Sequence, residues 1–166
     1  MASLKRFKVC AAVLVSGLFV IIANPGIIQA AQAGAARDFG VGAILGEPTG
    51  LSLKYWLSNI TALDGAVAWK FAHDESRLQI HADHLWHIDI HDAHITQGRL
   101  PFYLGVGLRV ESGPHPNAGV RIPLGLAFLF NAAPIELFSE IVPVVRFAPD
   151  SGSDLEGGVG VRYYFK

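Results

Sequence analysis

Between His81 and His94 the chain reads HADHLWHIDIHDAH, with five histidines and three aspartates in fourteen residues. Neutral imidazoles and carboxylates at this density are the donors a divalent metal such as zinc takes. On a helix His84, His87, His91 and His94 would share one side, but Leu78, Ile80, Leu85 and Ile90 would then have no common stripe. As a strand starting at Arg77 the segment sorts by alternation. Leu78, Ile80, Ala82, His84, Trp86, Ile88 and Ile90 take one face, and Arg77, Gln79, His81, Asp83, Leu85, His87 and Asp89 take the other. The strand disperses the cluster, because His81, Asp83 and His87 point one way and His84 the other. His91 and His94 fall in the following turn. They are the remaining metal candidates, no metal site is assigned, and no cofactor is expected. His115, between Pro114 and Pro116, is a solvated loop residue.

A nucleophilic serine is the other chemistry to test, since acyl transfer needs a hydroxyl with an imidazole and a carboxylate in reach. Ser139 is the one serine on an apolar strand face, and no histidine lies on the strands beside it. Ser52 faces the other way and could approach His81 across an enclosed interior, although packing is the commoner role for a small residue there. No catalytic residue is assigned.

The elements that would position these residues begin after a leader. Lys5, Arg6 and Lys8 precede an uncharged apolar run from Val9 to Ile22, then Pro25-Gly26 and the small-x-small site Ala31-Gln32-Ala33. Residues 1–33 are expected to be a cleaved signal peptide, with cleavage after Ala33 and Ala30 as the second choice. The apolar run is shorter than the roughly 20 residues a membrane-spanning helix needs. The chain from Gly34 to Lys166 forms a single domain. It keeps 10 of the 13 basic residues and all 14 acidic ones, for a net charge of −4, and loses the single cysteine, Cys10. A net-acidic chain with scattered charge argues against a nucleic-acid partner. Without cysteine it can form neither a disulfide nor a thiolate site.

From Gly34 onward alternation replaces helical periodicity. Turn chemistry recurs at Gly46–Thr49, Ser58-Asn59, His73–Glu75, His91–Gln97, Ser112–Asn117, Asn131–Pro134 and Asp150–Asp154, separating eight strands. Short, evenly spaced strands without helices imply a closed barrel or a sandwich. In the fifth strand Leu100, Phe102, Leu104, Val106, Leu108 and Val110 oppose Pro101, Tyr103, Gly105, Gly107, Arg109 and Glu111. In the sixth, Val120, Ile122, Leu124, Leu126, Phe128 and Phe130 oppose Arg121, Pro123, Gly125 and Ala127.

Alternation alone does not say which face is inside. The polar face mixes glycines with twelve charges, six of each sign: Lys54, Asp64, Lys70, Asp83, Arg109, Glu111, Arg121, Glu136, Glu140, Arg146, Glu156 and Arg162. Small residues beside long, sign-matched ones suit a crowded interior. The apolar face then meets lipid. With the N-terminus in the periplasm, Phe39, Tyr55, Trp86, Phe102, Phe128, Phe130, Tyr163 and Phe165 gather at one interface, and Trp69, Phe71 and Phe147 at the other. Those are the two aromatic girdles of a membrane barrel.

The chain from Asp38 to Phe165, ending Val159-Gly-Val161-Arg-Tyr163-Tyr-Phe165, resembles the small eight-stranded outer-membrane barrels of the OmpA and OmpX type. Lys166 departs from their terminal aromatic. The resemblance implies an all-β, antiparallel, up-and-down transmembrane barrel over residues 34–166, in the outer membrane with its N-terminus periplasmic. It also implies that the barrel-assembly machinery recognises the C-terminal strand. The expected role is a monomeric structural or minor membrane component with a side-chain-filled interior and no open pore. The rival readings are a lipid-modifying enzyme with lipid-A acyl chemistry and a soluble, lipocalin-like periplasmic carrier.

Two finer expectations follow from the face assignment. Arginine at Leu124 should damage assembly far more than alanine at Gly125. In the last hairpin, pairing residues whose numbers sum to 302 sets Glu140 opposite Arg162 and Arg146 opposite Glu156, so that inward charges meet opposite signs.

Overall fold

The computed structural model describes residues 38–72, 75–90 and 96–165, and the side chains of 70–72, 75 and 76 are not among the described ones. The expected leader and cleavage site, His73, the metal candidates His91 and His94, the side chains of Lys70 and Phe71, and Lys166 therefore lie outside the described residues. Every regular element described is a strand: β1 (Phe39–Glu47), β2 (Thr49–Trp56), β3 (Thr61–Ala72), β4 (Glu75–Asp89), β5 (Gly98–Arg99), β6 (Pro101–Glu111), β7 (Asn117–Arg121), β8 (Leu124–Phe130), β9 (Ile135–Ala148) and β10 (Gly152–Phe165).

These ten segments make eight staves. β5 and β6 both pair with β8, with Leu100 between them, and β7 and β8 together fill the place between β6 and β9. The break between β7 and β8 falls at Pro123, which has no N–H to donate, although its carbonyl still accepts from Gly105 N at 2.9 Å. All pairings are antiparallel. β10 pairs with both β9 and β1, so the sheet closes without a free edge.

A circuit through direct partners runs from Tyr164 to Gly40, Lys54, Asp64, Asp83, Gly107, Arg121, Val144 and then Asp154, ten residues back along β10. With ordinary strand spacing and rise, that stagger over eight staves tilts them by about 40° from the barrel axis, inside the usual range for barrels.

Alternation sorts the faces as the sequence implies. Leu51, Leu53, Leu63, Ile80, Val106, Leu108, Val110, Ile141, Leu155 and Val159 are exposed on the outer wall, Val110 at 61 % and Leu155 at 71 %. Lys54, Asp64, Asp83, Arg109, Glu111, Arg121, Glu136, Glu156 and Arg162 are buried inside. Both termini of the described barrel lie at one end, with the turns after Trp56, before Gly98 and after Phe130. At the other end the described connections are short: Pro48, Ser112–Pro116 and Pro149–Ser151. At Gly46 the turn into β2 needs a backbone that favours glycine, with φ at 145°. Thr49 Oγ1 then ties the turn by donating to the Gly46 carbonyl at 2.9 Å.

Three boundary expectations are corrected. β4 begins at Glu75 rather than Arg77. The last turn spans Pro149–Ser151 rather than Asp150–Asp154, because the proline directly after Ala148 ends β9 early. The register of that hairpin is four residues from the expected one, so partner numbers sum to 298. Arg162 faces Glu136, Glu140 faces Gly158 and Arg146 faces Gly152. A shift of four keeps every residue on its own face, so the face pattern did not exclude it. What fails is the premise that every inward charge finds its partner directly opposite on the next strand: Arg162 does so with Glu136, but Glu140 and Arg146 face glycines, and in a narrow barrel arginines also reach partners across the interior.

Candidate functional site

The inward side chains form two ionic groups. The first surrounds Glu136, supplied by the start of β9. Lys54 Nζ donates to its Oε1 and Oε2 at 3.2 and 3.1 Å. Arg162 Nη1 donates to Oε1 at 2.6 Å and the Tyr164 hydroxyl to Oε2 at 2.7 Å. Arg162 also reaches Asp64 on β3 through Nη2 at 2.5 Å and Ser52 through Nε at 2.8 Å. Glu136 is fully buried and Lys54 is 1 % exposed, and the two share their hydrogen bonds within the protein.

Apolar side chains enclose that group toward the terminal end. Trp56, Ala62, Leu85, Ala127, Leu129 and Tyr164 belong to one buried cluster inside the barrel. The His87 ring lies 4.3 Å from Trp56 and 5.5 Å from Tyr103, centroid to centroid. Its Nε2 is 2.9 Å from Lys54 Nζ.

The second group surrounds Glu156 of β10. Arg109 Nη1 and Arg121 Nη1 both donate to it, the latter at 2.7 Å, and Gln79 Nε2 donates at 3.2 Å. Arg121 Nε bridges to Asp83 at 3.2 and 3.1 Å, and its Nη2 stands 3.5 Å from Glu140, which also accepts from the Tyr103 hydroxyl at 3.0 Å. Toward the loop end Arg109 Nη2 donates to Asn117 at 3.0 Å and Asp154 at 2.5 Å. Asp154 also lies 3.2 Å from Arg146, both about one-third exposed, and Arg77 lies 3.1 Å from Glu111.

Eleven of the twelve interior charges read from the sequence thus fall inside or at the mouth of the barrel, and Lys70, the twelfth, occupies the β3 position opposite Arg77. The sequence reading missed Gln79, His87, Tyr103 and Tyr164 as members of these networks. Their inward parity was legible, but their partners sit on strands far away in the chain.

Of the girdle residues, Phe39, Tyr55, Trp69, Phe147, Tyr163 and Phe165 are exposed on the outer wall, while Trp86, Phe102, Phe128 and Phe130 are half-buried there. Phe39 lies directly between Phe165 and Tyr55 at the terminal end. His84, on the same wall, packs edge-on against Trp86 at 4.4 Å. Ser139 is exposed between Leu126 and Val159, its ladder partners. Ser52 is fully buried and accepts from Arg162 Nε, and Ala66 stands between it and His81 across the sheet. Among the described residues no group of three histidines, aspartates or glutamates is arranged to hold a metal.

A closed, eight-staved antiparallel barrel with an apolar outer wall and an ion-paired interior is the fold of the small outer-membrane barrels of the OmpA and OmpX type. The N-terminal β-barrel domain of Pseudomonas aeruginosa OprF superposes with a TM-score of 0.50 at 14 % identity, over 76 % of this chain and 95 % of that one. Ail, the attachment invasion locus protein of Yersinia pestis, matches with a TM-score of 0.39 at 14 % identity, over 76 % of this chain and 93 % of that one. No family model and no curated protein matches the sequence.

Proposed function

We propose that the chain is an integral outer-membrane protein, delivered by its leader and left with a periplasmic N-terminus. In this reading it serves as a monomeric structural component rather than a channel. The observation that carries this is the inversion of polarity across the wall, with Leu51, Leu108, Val110, Ile141 and Leu155 exposed and Arg109, Arg121, Glu136 and Arg162 buried. In water the exposed wall would be one continuous apolar surface, far beyond what soluble monomers tolerate. Against hydrocarbon it is the expected solvent contact. Eight staves enclose little more than their own side chains, and here two ionic groups cross that space.

The lipid-modifying reading has less support, because the ladder partners of Ser139 are Leu126 and Val159, which offer neither an imidazole nor a carboxylate. Fractionation of cells with a gel of unboiled and boiled samples tests the proposal. The protein should sediment with the outer membrane and migrate faster unboiled, and purified barrel in planar bilayers should give no steady ion conductance. Recovery in the soluble periplasmic fraction would overturn the membrane reading, and sustained conductance the closed interior.

A further inference from the structure

Around Glu156 the interior is left unfinished at one point. Three buried polar atoms there have no hydrogen-bond partner among the described residues: Gln79 Oε1, His81 Nδ1 and Arg109 Nε. They are neighbours. His81 and Arg109 are direct partners across β4 and β6, and Gln79 is the next inward residue on β4. Gln79 and Arg109 both donate to Glu156, through Nε2 and Nη1 respectively. Gln79 is 0 %, Arg109 1 % and His81 5 % exposed. Buried polar atoms in folded proteins almost always find a partner in the protein or in ordered water, and three orphans on one patch of wall point to one shared guest.

The residues flanking the patch are small. Ala68 stands directly opposite Gln79, Ala66 opposite His81 and Gly119 opposite Arg109. The chemistry of the guest follows from the charges. Arg109 and Arg121 disfavour a cation, and Glu156, Glu111, Asp83 and Asp154 disfavour an anion. Gln79 Oε1 offers an acceptor and Arg109 Nε a donor, so the guest is neutral and must donate and accept at once. Water meets that description, and two to four polar contacts are what a buried water makes.

We propose that the barrel holds an internal water site bridging Gln79 Oε1, His81 Nδ1 and Arg109 Nε. It is fed from the loop end past Asn117 and Asp154 and stops short of the packed Lys54–Glu136–Arg162 group. This rests on the reading of a closed interior, and places the water-free part of the lumen on the side of the chain termini.

Three buried arginines provide internal controls. Arg121 Nε is committed to Asp83 and Arg162 Nε to Ser52, whereas Arg109 Nε has no acceptor among the described residues. In the full barrel in detergent micelles, nuclear magnetic resonance should give a cross-peak to water at Arg109 Nε–H and at the His81 ring protons, and none at Arg121 or Arg162 Nε–H. Gln79→Leu, which removes the acceptor, should weaken the Arg109 cross-peak at least several-fold. Absence of a water cross-peak at both Arg109 and His81, in a barrel that does not conduct, would overturn the site while leaving the closed interior standing. Water cross-peaks at all three arginines, with ion conductance in bilayers, would overturn the closed interior and the site with it.

Discussion

At the scale of single residues, burial separates the charges that matter for stability from those that do not. Glu136 accepts from Lys54, Arg162 and Tyr164 while fully buried. Removing one partner of a buried pair leaves an uncompensated charge and costs about 3 to 5 kcal/mol. Glu136→Leu should therefore lower the urea midpoint of the detergent-folded barrel strongly. Asp154→Asn, at a carboxylate about one-third exposed, should cost less, because its buried partner Arg109 keeps Glu156 and its part-exposed pair with Arg146 contributes at most about 1 kcal/mol. Equal losses in equilibrium unfolding would contradict the placement of Glu136. Gly125 belongs to the same scale. A Cβ there would run into the Tyr103 ring and lie 2.5 Å from the Ser139 carbonyl. Alanine at Gly125 is thus no mild control for arginine at Leu124, which corrects the expectation drawn from the face pattern alone. Gly125→Ala should destabilise by about 1 to 3 kcal/mol through overpacking, and Tyr103→Leu in the same chain should recover part of it. Additive losses in that double variant would count against the Tyr103 contact.

At the scale of elements, the β9–β10 register can be read by cross-linking, because the one cysteine of the chain, Cys10, lies in the expected leader. Ser139 and Val159 are direct partners on the outer wall. Antiparallel partners bring Cα atoms to about 4.5 to 5.5 Å, inside the range a disulfide spans. Ser139→Cys with Val159→Cys should oxidise readily to a disulfide-linked hairpin. Ser139→Cys with Tyr163→Cys, the pair opposed in the register summing to 302, is displaced by about 13 Å along the strand and should stay reduced. Efficient cross-linking of the second pair instead of the first would restore that register.

At the scale of the whole molecule, wall and assembly are separable. Leu126 is exposed on the outer face between Phe102 and Ser139. Leu126→Arg should cost about 2 to 4 kcal/mol if it lies near the bilayer midplane, read as a fall in heat-modifiable barrel. Phe165 is half exposed on the outer wall and stacks edge-on with Tyr163 at 5.1 Å. If the C-terminal strand is what the assembly machinery reads, Phe165→Ala should reduce the amount assembled in cells severalfold while the purified chain refolds in detergent almost unchanged. A parallel loss in both settings would assign Phe165 to folding rather than to recognition.

The sequence by itself determined the architecture and the sidedness of each stave. A period of two carries through β6, β9 and β10, and only one arrangement puts Arg109, Glu136 and Arg162 on the same side as Gly107, Gly158 and Gly160. It also dispersed the histidines, since a strand cannot keep His81, His84 and His87 on one face. Which charge meets which was decided by the tertiary structure alone. Glu156 is gripped by Arg109 and Arg121 from β6 and β7, and Arg162 by Asp64 from β3. Local pattern constrains a residue's face, whereas partners across the lumen depend on the tilt and stagger with which the staves close. A four-residue slip therefore leaves the pattern untouched and changes every pair.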